Sequence, residues 1–577
     1  MDKRSLLIFR AALLILSAGW AGGVLAGAAD PAADVIFHRG TVLTVDPFMT
    51  EAEAVAVKDG RILAVGSAAD VLKYRGEATR MIDLDGRTLM PGFVEGHSHP
   101  FMNMLVENMA VDIRPVRYAR GPQVMDVINA AVARAAPGEE IVFFGWDPVI
   151  QSGLKNPTRR ELDALAPHHS LLIIGNSGHV AFANSRALEA AGITRDTPDP
   201  TGPMGGSFGH SEDGELNGRL DQGDPILAVM TPILKNRLSD PQKAVELVRK
   251  GWRQCAGNGI TTVDDSMIDE QYLHLYRETA GLFPSLRIRG YAVHYKTWKP
   301  FEGDDLIKVN GAKVFVDGTP WTGTLFLTKP YPANPLTLEV MELPPDYIQK
   351  PYISPADLKT LVDDCLKEKR TLEIHAQGDA AIDMALETVE EGLERYPWPD
   401  HRFRIAHAPM IRDDQLERAK RLGVQITFLM SHVKYWGDIL PTMVGEERGR
   451  RWMPAGSAER IGVNYAFHFD GPVAPNKPFS VLETAVARKT VGGRILGPEE
   501  RVTIDEAIRA YTINPAYQLF MEKEVGSLEP GKFADMIIVS ENPRTIPPHQ
   551  LSDIKVLAAY VNGAEIFRAP EAIPPNR

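Results

Sequence analysis

His97 and His99 lie two residues apart. Side chains alternate between faces in an extended chain, so both imidazoles point the same way. Two neutral imidazoles on one side can share a cation, and imidazole suits zinc and other first-row metals. A pair alone completes no site. Lys313, His375, His407 and Asp470 each stand in or just beyond a β-rich apolar run, and Asp317-Gly318 follows Lys313 closely. An ammonium repels a metal and is costly to bury unpaired. A buried neutral amine can instead take up carbon dioxide, and the carbamate is an anionic ligand able to bridge two ions. Lys313 is therefore expected to be carboxylated, the alternative being a lysine paired with an acidic neighbour such as Asp317. Asp470 is expected to be the general base. A metal lowers the pKa of bound water from ~15.7 to ~7, and a nearby carboxylate can take its proton and return it to a leaving group. The alternative for Asp470 is a cap before Gly471-Pro472.

Scattered groups of this kind meet only if a fold gathers them. Between residues 91 and 525, β-rich runs alternate with amphipathic stretches such as 355–368, 380–395 and 413–422, a pattern that favours a parallel sheet. Eight strands are expected, at 92–96, 260–264, 286–293, 312–316, 372–376, 403–408, 425–429 and 464–469. Eight parallel strands with helices outside make an α/β fold, the TIM (β/α)8 barrel, whose active site is built at the strand C-termini. The candidate ligands fall there. A large insertion, about 100–255, separates the first two strands. Residues 29–90 and 526–577 are rich in short strands and turns, including Asp59-Gly60 and Asn562-Gly563, which are hairpin signals. They are expected to form one composite β-sandwich from both chain ends. Aromatic residues placed to line a pocket are Trp146, Trp321 and Trp436, with His432 nearby and His468 two before Asp470. They suggest a substrate with an aromatic or bulky apolar group.

The chain has 577 residues, is 44% apolar and 24% charged, and carries a net charge of −12. That balance argues against nucleic-acid binding and fits an enzyme acting on a small molecule. Lys3 and Arg4 precede an apolar stretch reaching Ala28. It reads as a signal peptide over 1–28, cleaved near Ala26 or Ala28, which predicts a periplasmic or secreted protein with no stable membrane insertion afterwards. Cys255 and Cys365 make no disulfide framework and read as buried thiols, their pairing left open, as is homo-oligomerisation.

The run Pro91-Gly92-Phe93-Val94-Glu95-Gly96-His97-Ser98-His99 and the segment 526–535 resemble the amidohydrolase superfamily. The closest likeness is to its amidohydrolase-3 branch, which includes N-substituted formamide deformylase-like enzymes. Residues 313–318 and 503–514 share the likeness. The resemblance implies a divalent metal, zinc in one or two ions, held by His97, His99, Lys313, His375, His407 and Asp470. It also implies hydrolysis of a non-peptide C–N or ester-like bond, and it marks His179 as a site-lining residue. Two positions depart from the branch: Glu95 stands where Asp is usual, and His468-Phe469-Asp470 where many members have Ser-Asp. The function expected is C–N hydrolysis by metal-activated hydroxide. A lyase, decarboxylase or esterase on the same scaffold is the alternative, and a non-catalytic binding protein a weaker one.

Overall fold

The computed structural model describes residues 31–202 and 204–570; the signal-peptide reading falls outside them. At its centre eight parallel strands hydrogen-bond in chain order: β1 (Phe93–Glu95), β2 (Ile260–Asp265), β3 (Arg287–Ala292), β4 (Ile307–Phe315), β5 (Thr371–Ala376), β6 (Arg404–His407), β7 (Gln425–Phe428) and β8 (Tyr465–Phe467). This is the expected barrel. Strand β4 begins five residues earlier than the pattern suggested, where Ile307 and Val309 are buried. Gly92 leads into β1 because a Cβ there would lie 2.1 Å from the Thr261 hydroxyl.

The outer helices form for local reasons. Pro355–Glu368 starts at Ser354, whose hydroxyl accepts from the Asp357 N–H, and buries Leu358, Leu361, Val362 and Leu366. Asp413–Leu422 ends at Gly423, in the left-handed conformation that glycine adopts without penalty.

The chain ends form the sandwich. One sheet orders Arg61–Gly66, Ala54–Lys58, Val35–His38 and Arg80–Asp83. The other places Thr88–Pro91 between Thr41–Leu43 and the C-terminal Met536–Val539. Phe37, Val57 and Leu89 from the N-terminal side share a core with Ile538 and Tyr560 from the C-terminal side.

The segment between β1 and β2 carries a mixed sheet of its own, with Ile141–Trp146, Leu171–Gly175 and Val180–Ala183 adjacent. It roofs the C-terminal end of the barrel. Cys255 and Cys365 are both buried free thiols. No helix among the described residues is long and apolar enough to cross a membrane.

Candidate active site

His97 follows β1, and its Nδ1–H donates to Glu373 Oε1 at 2.6 Å. The proton is thereby held on Nδ1, and Nε2 is left facing Asp470 Oδ1 at 3.3 Å. His407 ends β6. Its Nε2–H donates to His375 Nδ1 at 3.1 Å, and His375 Nε2–H donates to the Gly318 carbonyl at 3.0 Å. That relay leaves His407 Nδ1 bare, 3.9 Å from Asp470 Oδ2. His468 and Asp470, two apart beyond β8, reach the same place. Ligand atoms of His97, His407, His468 and Asp470 lie within 4.8 Å of one another.

Buried polar atoms without partners are rare in native proteins. Here His97 Nε2, His407 Nδ1, both nitrogens of His468 and Asp470 Oδ1 are all buried and make no hydrogen bond. Three imidazoles and a carboxylate with free lone pairs pointed at one spot fit a divalent cation, and the donor types suit zinc. Burial and neighbouring positive or imidazole groups hold His407 and His468 well below the usual histidine pKa, the neutral form that ligates. Burial would raise Asp470, but His97 and His99 outweigh it and keep the carboxylate ionised.

Two of these residues sit in unusual backbone. His407 has φ +72° and Asp470 φ +54°. Left-handed conformations cost non-glycine residues of order 1–3 kcal/mol and cluster at functional sites. Here they turn the side chains at the strand ends inward. Glu95 accepts from the Phe469 N–H at 3.1 Å and from the Tyr511 hydroxyl. It therefore fastens β1 to the segment that carries His468 and Asp470.

The other expected residues are placed as follows. His99 Nε2 lies 3.5 Å from Asp470 Oδ1, at the cavity edge. His375 stands behind His407 and orients it. Lys313 is buried and ion-paired with Glu373. Asp317 is not its partner, accepting instead from the Phe326, Gln377 and Gly378 N–H groups. His468 sits in the donor cluster and is absent from the cavity wall. Glu373, Arg404, Asp264 and Ser266, not singled out from the sequence, form a buried charged layer beneath the cluster.

Above it lies a cavity of about 1030 Å³, part of it open to solvent. The barrel contributes Phe315, Trp321 and His432, and the inserted roof contributes Phe144, Ile174 and His179. His179 Nδ1 bonds Gln222 Oε1 at 2.7 Å, and the Gln222 amide in turn donates to Tyr352. Trp436 lies behind the wall, stacked on Trp321 at 4.8 Å, its Nε1–H on Asp147 at 2.9 Å. Trp146 lines a smaller adjoining cavity, which Trp321 separates from the main one. Burial takes His432 down to about 3, so it faces the cavity as a neutral ring.

A (β/α)8 barrel with buried histidines and an aspartate converging at its strand C-termini is the architecture of a metal-dependent hydrolase. The chain belongs to the amidohydrolase family, whose model matches residues 80–567. It is 28% identical over 545 residues to an N-substituted formamide deformylase of Arthrobacter pascens, covering 92% of this chain and 97% of that protein. It is also 28% identical over 558 residues to Protein LONG AFTER FAR-RED 3 of Arabidopsis thaliana, covering 93% and 92%. The crystal structure of an uncharacterized metal-dependent hydrolase from Pyrococcus horikoshii superposes with a TM-score of 0.68 at 23% identity, over 89% of this chain and 99% of that one. That likeness bears on the fold.

Proposed function

We propose that this protein hydrolyses an uncharged amide-type C–N bond (formamide, amide or carbamate) whose nitrogen or acyl substituent is bulky and apolar. The observation that carries this is the cavity wall. It is mostly apolar, neither Lys nor Arg lines it, and Asp470 is its one carboxylate among the described residues. A substrate carboxylate buried against the apolar part of that wall, away from the ion, would meet no protein cation, and an unpaired buried charge is costly. The similarity to an N-substituted formamide deformylase supports the same bond type.

His97, His407, His468 and Asp470 would hold the cation, with His99 beside them; zinc is the ion the donors favour. Bound there, a divalent cation supplies Lewis acidity, polarising the carbonyl and acidifying water. The ionised Asp470, on the carboxylate oxygen not given to the cation, can accept a proton from water adding to the carbonyl carbon. It can then pass that proton to the nitrogen as the C–N bond breaks. His179, with its Nδ1–H given to Gln222, keeps Nε2 as an acceptor for substrate. Trp321 and Phe315 bound the space for the apolar group. Export rests on the leader-like residues 1–28 alone.

A panel of uncharged N-substituted amides, set beside analogues bearing a carboxylate and run in water labelled with heavy oxygen, tests this reading. Turnover of the uncharged members, with label in the acid product, is expected. Turnover without label would point to a lyase, and preference for the carboxylates would refute the substrate class. Trp321→Ala is expected to raise KM for the bulkiest substrate by about 30-fold, the equivalent of losing about 2 kcal/mol of apolar contact. An unchanged KM for every substrate would remove Trp321 from the pocket.

A further inference from the structure

We infer that Gln222 is a positioning residue: it fixes His179 at the cavity wall so that the enzyme prefers amides that keep an N–H. This deepens the functional reading above and rests on it. The starting observation is a strained residue beside the substrate. Gln222 has φ +69° and ψ 177°, a combination that essentially only glycine adopts. It is buried, lines the substrate cavity and stands just before the helix Gly223–Arg237. Its side chain makes no capping bond to that helix. Such strain persists only where the surroundings over-determine it, and it clusters at functional sites.

The surroundings are specific. The Gln222 N–H donates to the His179 carbonyl at 2.9 Å, and its carboxamide oxygen takes the His179 Nδ1–H at 2.7 Å. The two residues are thus tied through backbone and side chain at once. The other end of the carboxamide donates to the Tyr352 hydroxyl. Tyr352 belongs to the barrel side, its N–H donating to the Val316 carbonyl at 2.8 Å, just beyond β4. Gln222 therefore links the inserted roof, which carries His179, to the barrel, which carries the candidate ligands. The His179 ring lies 5.5 Å from the His375 ring.

The consequence is chemical. With its proton held on Nδ1, His179 keeps a lone pair on Nε2 and meets the substrate as an acceptor. In the reading above the substrate carbonyl goes to the cation. The one donor left on an N-monosubstituted amide is its N–H, which His179 can take. An N,N-disubstituted amide or an ester has no such donor. It would bury the Nε2 lone pair without a partner, and a buried acceptor left unsatisfied is costly.

The test is kcat/KM of the full-length, zinc-loaded protein on two compounds. One is a formamide bearing a single bulky apolar N-substituent; the other is the formate ester of the same shape, with oxygen in place of the N–H. The chains compared are the unaltered one, Gln222→Gly, His179→Ala and the double variant. Glycine accepts the backbone at 222 without strain, so the melting midpoint of Gln222→Gly is expected to hold, and a loss of activity is then not a loss of fold. Gln222→Gly is expected to lower kcat/KM on the amide by about 10- to 100-fold, the size of one hydrogen-bonding group left unpaired, and on the ester by less. The double variant is expected to lose no more than His179→Ala alone, because residues acting through one contact are not additive. Unchanged kcat/KM on the amide in Gln222→Gly would overturn the positioning role, as would losses that add in the double variant. Equal losses on amide and ester would overturn the N–H preference. No turnover of either compound by the unaltered chain would overturn the functional reading, and this inference with it.

Discussion

Asp470→Asn is expected to lower kcat/KM by about 100- to 10,000-fold, the range for a positioned general acid–base. The substitution preserves shape but removes the group that takes the proton. It also removes the charge that faces His97 Nε2 at 3.3 Å and His99 Nε2 at 3.5 Å. Metal content separates the two roles. If the variant keeps its metal and loses its rate, Asp470 moves the proton; if the metal goes too, Asp470 is chiefly a donor atom. Activity close to that of the unaltered chain, with metal bound, would remove Asp470 from the mechanism.

The second large effect is on stability. Arg404 is fully buried and contacts both Glu373 and Asp264. Arg404→Leu leaves two carboxyl groups in the barrel interior without the guanidinium between them. Breaking a buried pair by removing one partner costs about 3–5 kcal/mol, so the urea midpoint is expected to fall markedly. Arg404→Lys is expected to recover only part of the loss, because an ammonium cannot reproduce the fork that spans two carboxylates. A midpoint unchanged in Arg404→Leu would mean that the charged layer contributes little to folding.

The barrel was legible in the sequence because its strands are short apolar runs separated by helices with clear periodicity. Three of those helices lie almost where the pattern put them, Asp379–Arg395 beginning one residue early. The candidate ligands were legible because barrel chemistry sits at strand ends. The charged layer beneath them was not read. Glu373 has the same parity as His375 on β5, so alternation alone would have placed both inward; an acidic residue inside an apolar strand was the signal. Arg404 is harder. It is three residues before His407, the wrong parity for one face, and both turn inward because His407 leaves β6 in the left-handed conformation. No spacing rule contains that backbone switch. The acidic partner that the sequence offers Lys313, as the alternative to carboxylation, is Asp317, four residues away, whereas register joins it to Glu373, sixty residues on. Register between strands is a tertiary fact that one sequence does not carry.

The roof was missed for a similar reason. Ile141–Trp146 and Leu171–Gly175 are fully buried apolar runs, recognisable as strands. Their assembly into a mixed sheet over the barrel depends on pairings across the insertion. This is why Trp146 faces the adjoining cavity and Trp436 stacks behind Trp321, although both were expected on the substrate cavity.

His97, His407, His468 and Asp470 converge where a divalent cation would be seated. Elemental analysis of the full-length protein beside His407→Ala, both purified without chelator and dialysed against trace zinc, tests that seat most directly. One zinc per chain in the unaltered protein, with little or none in the variant, is the predicted result. A chain that retains no metal, or a variant that retains as much as its parent, would contradict the account.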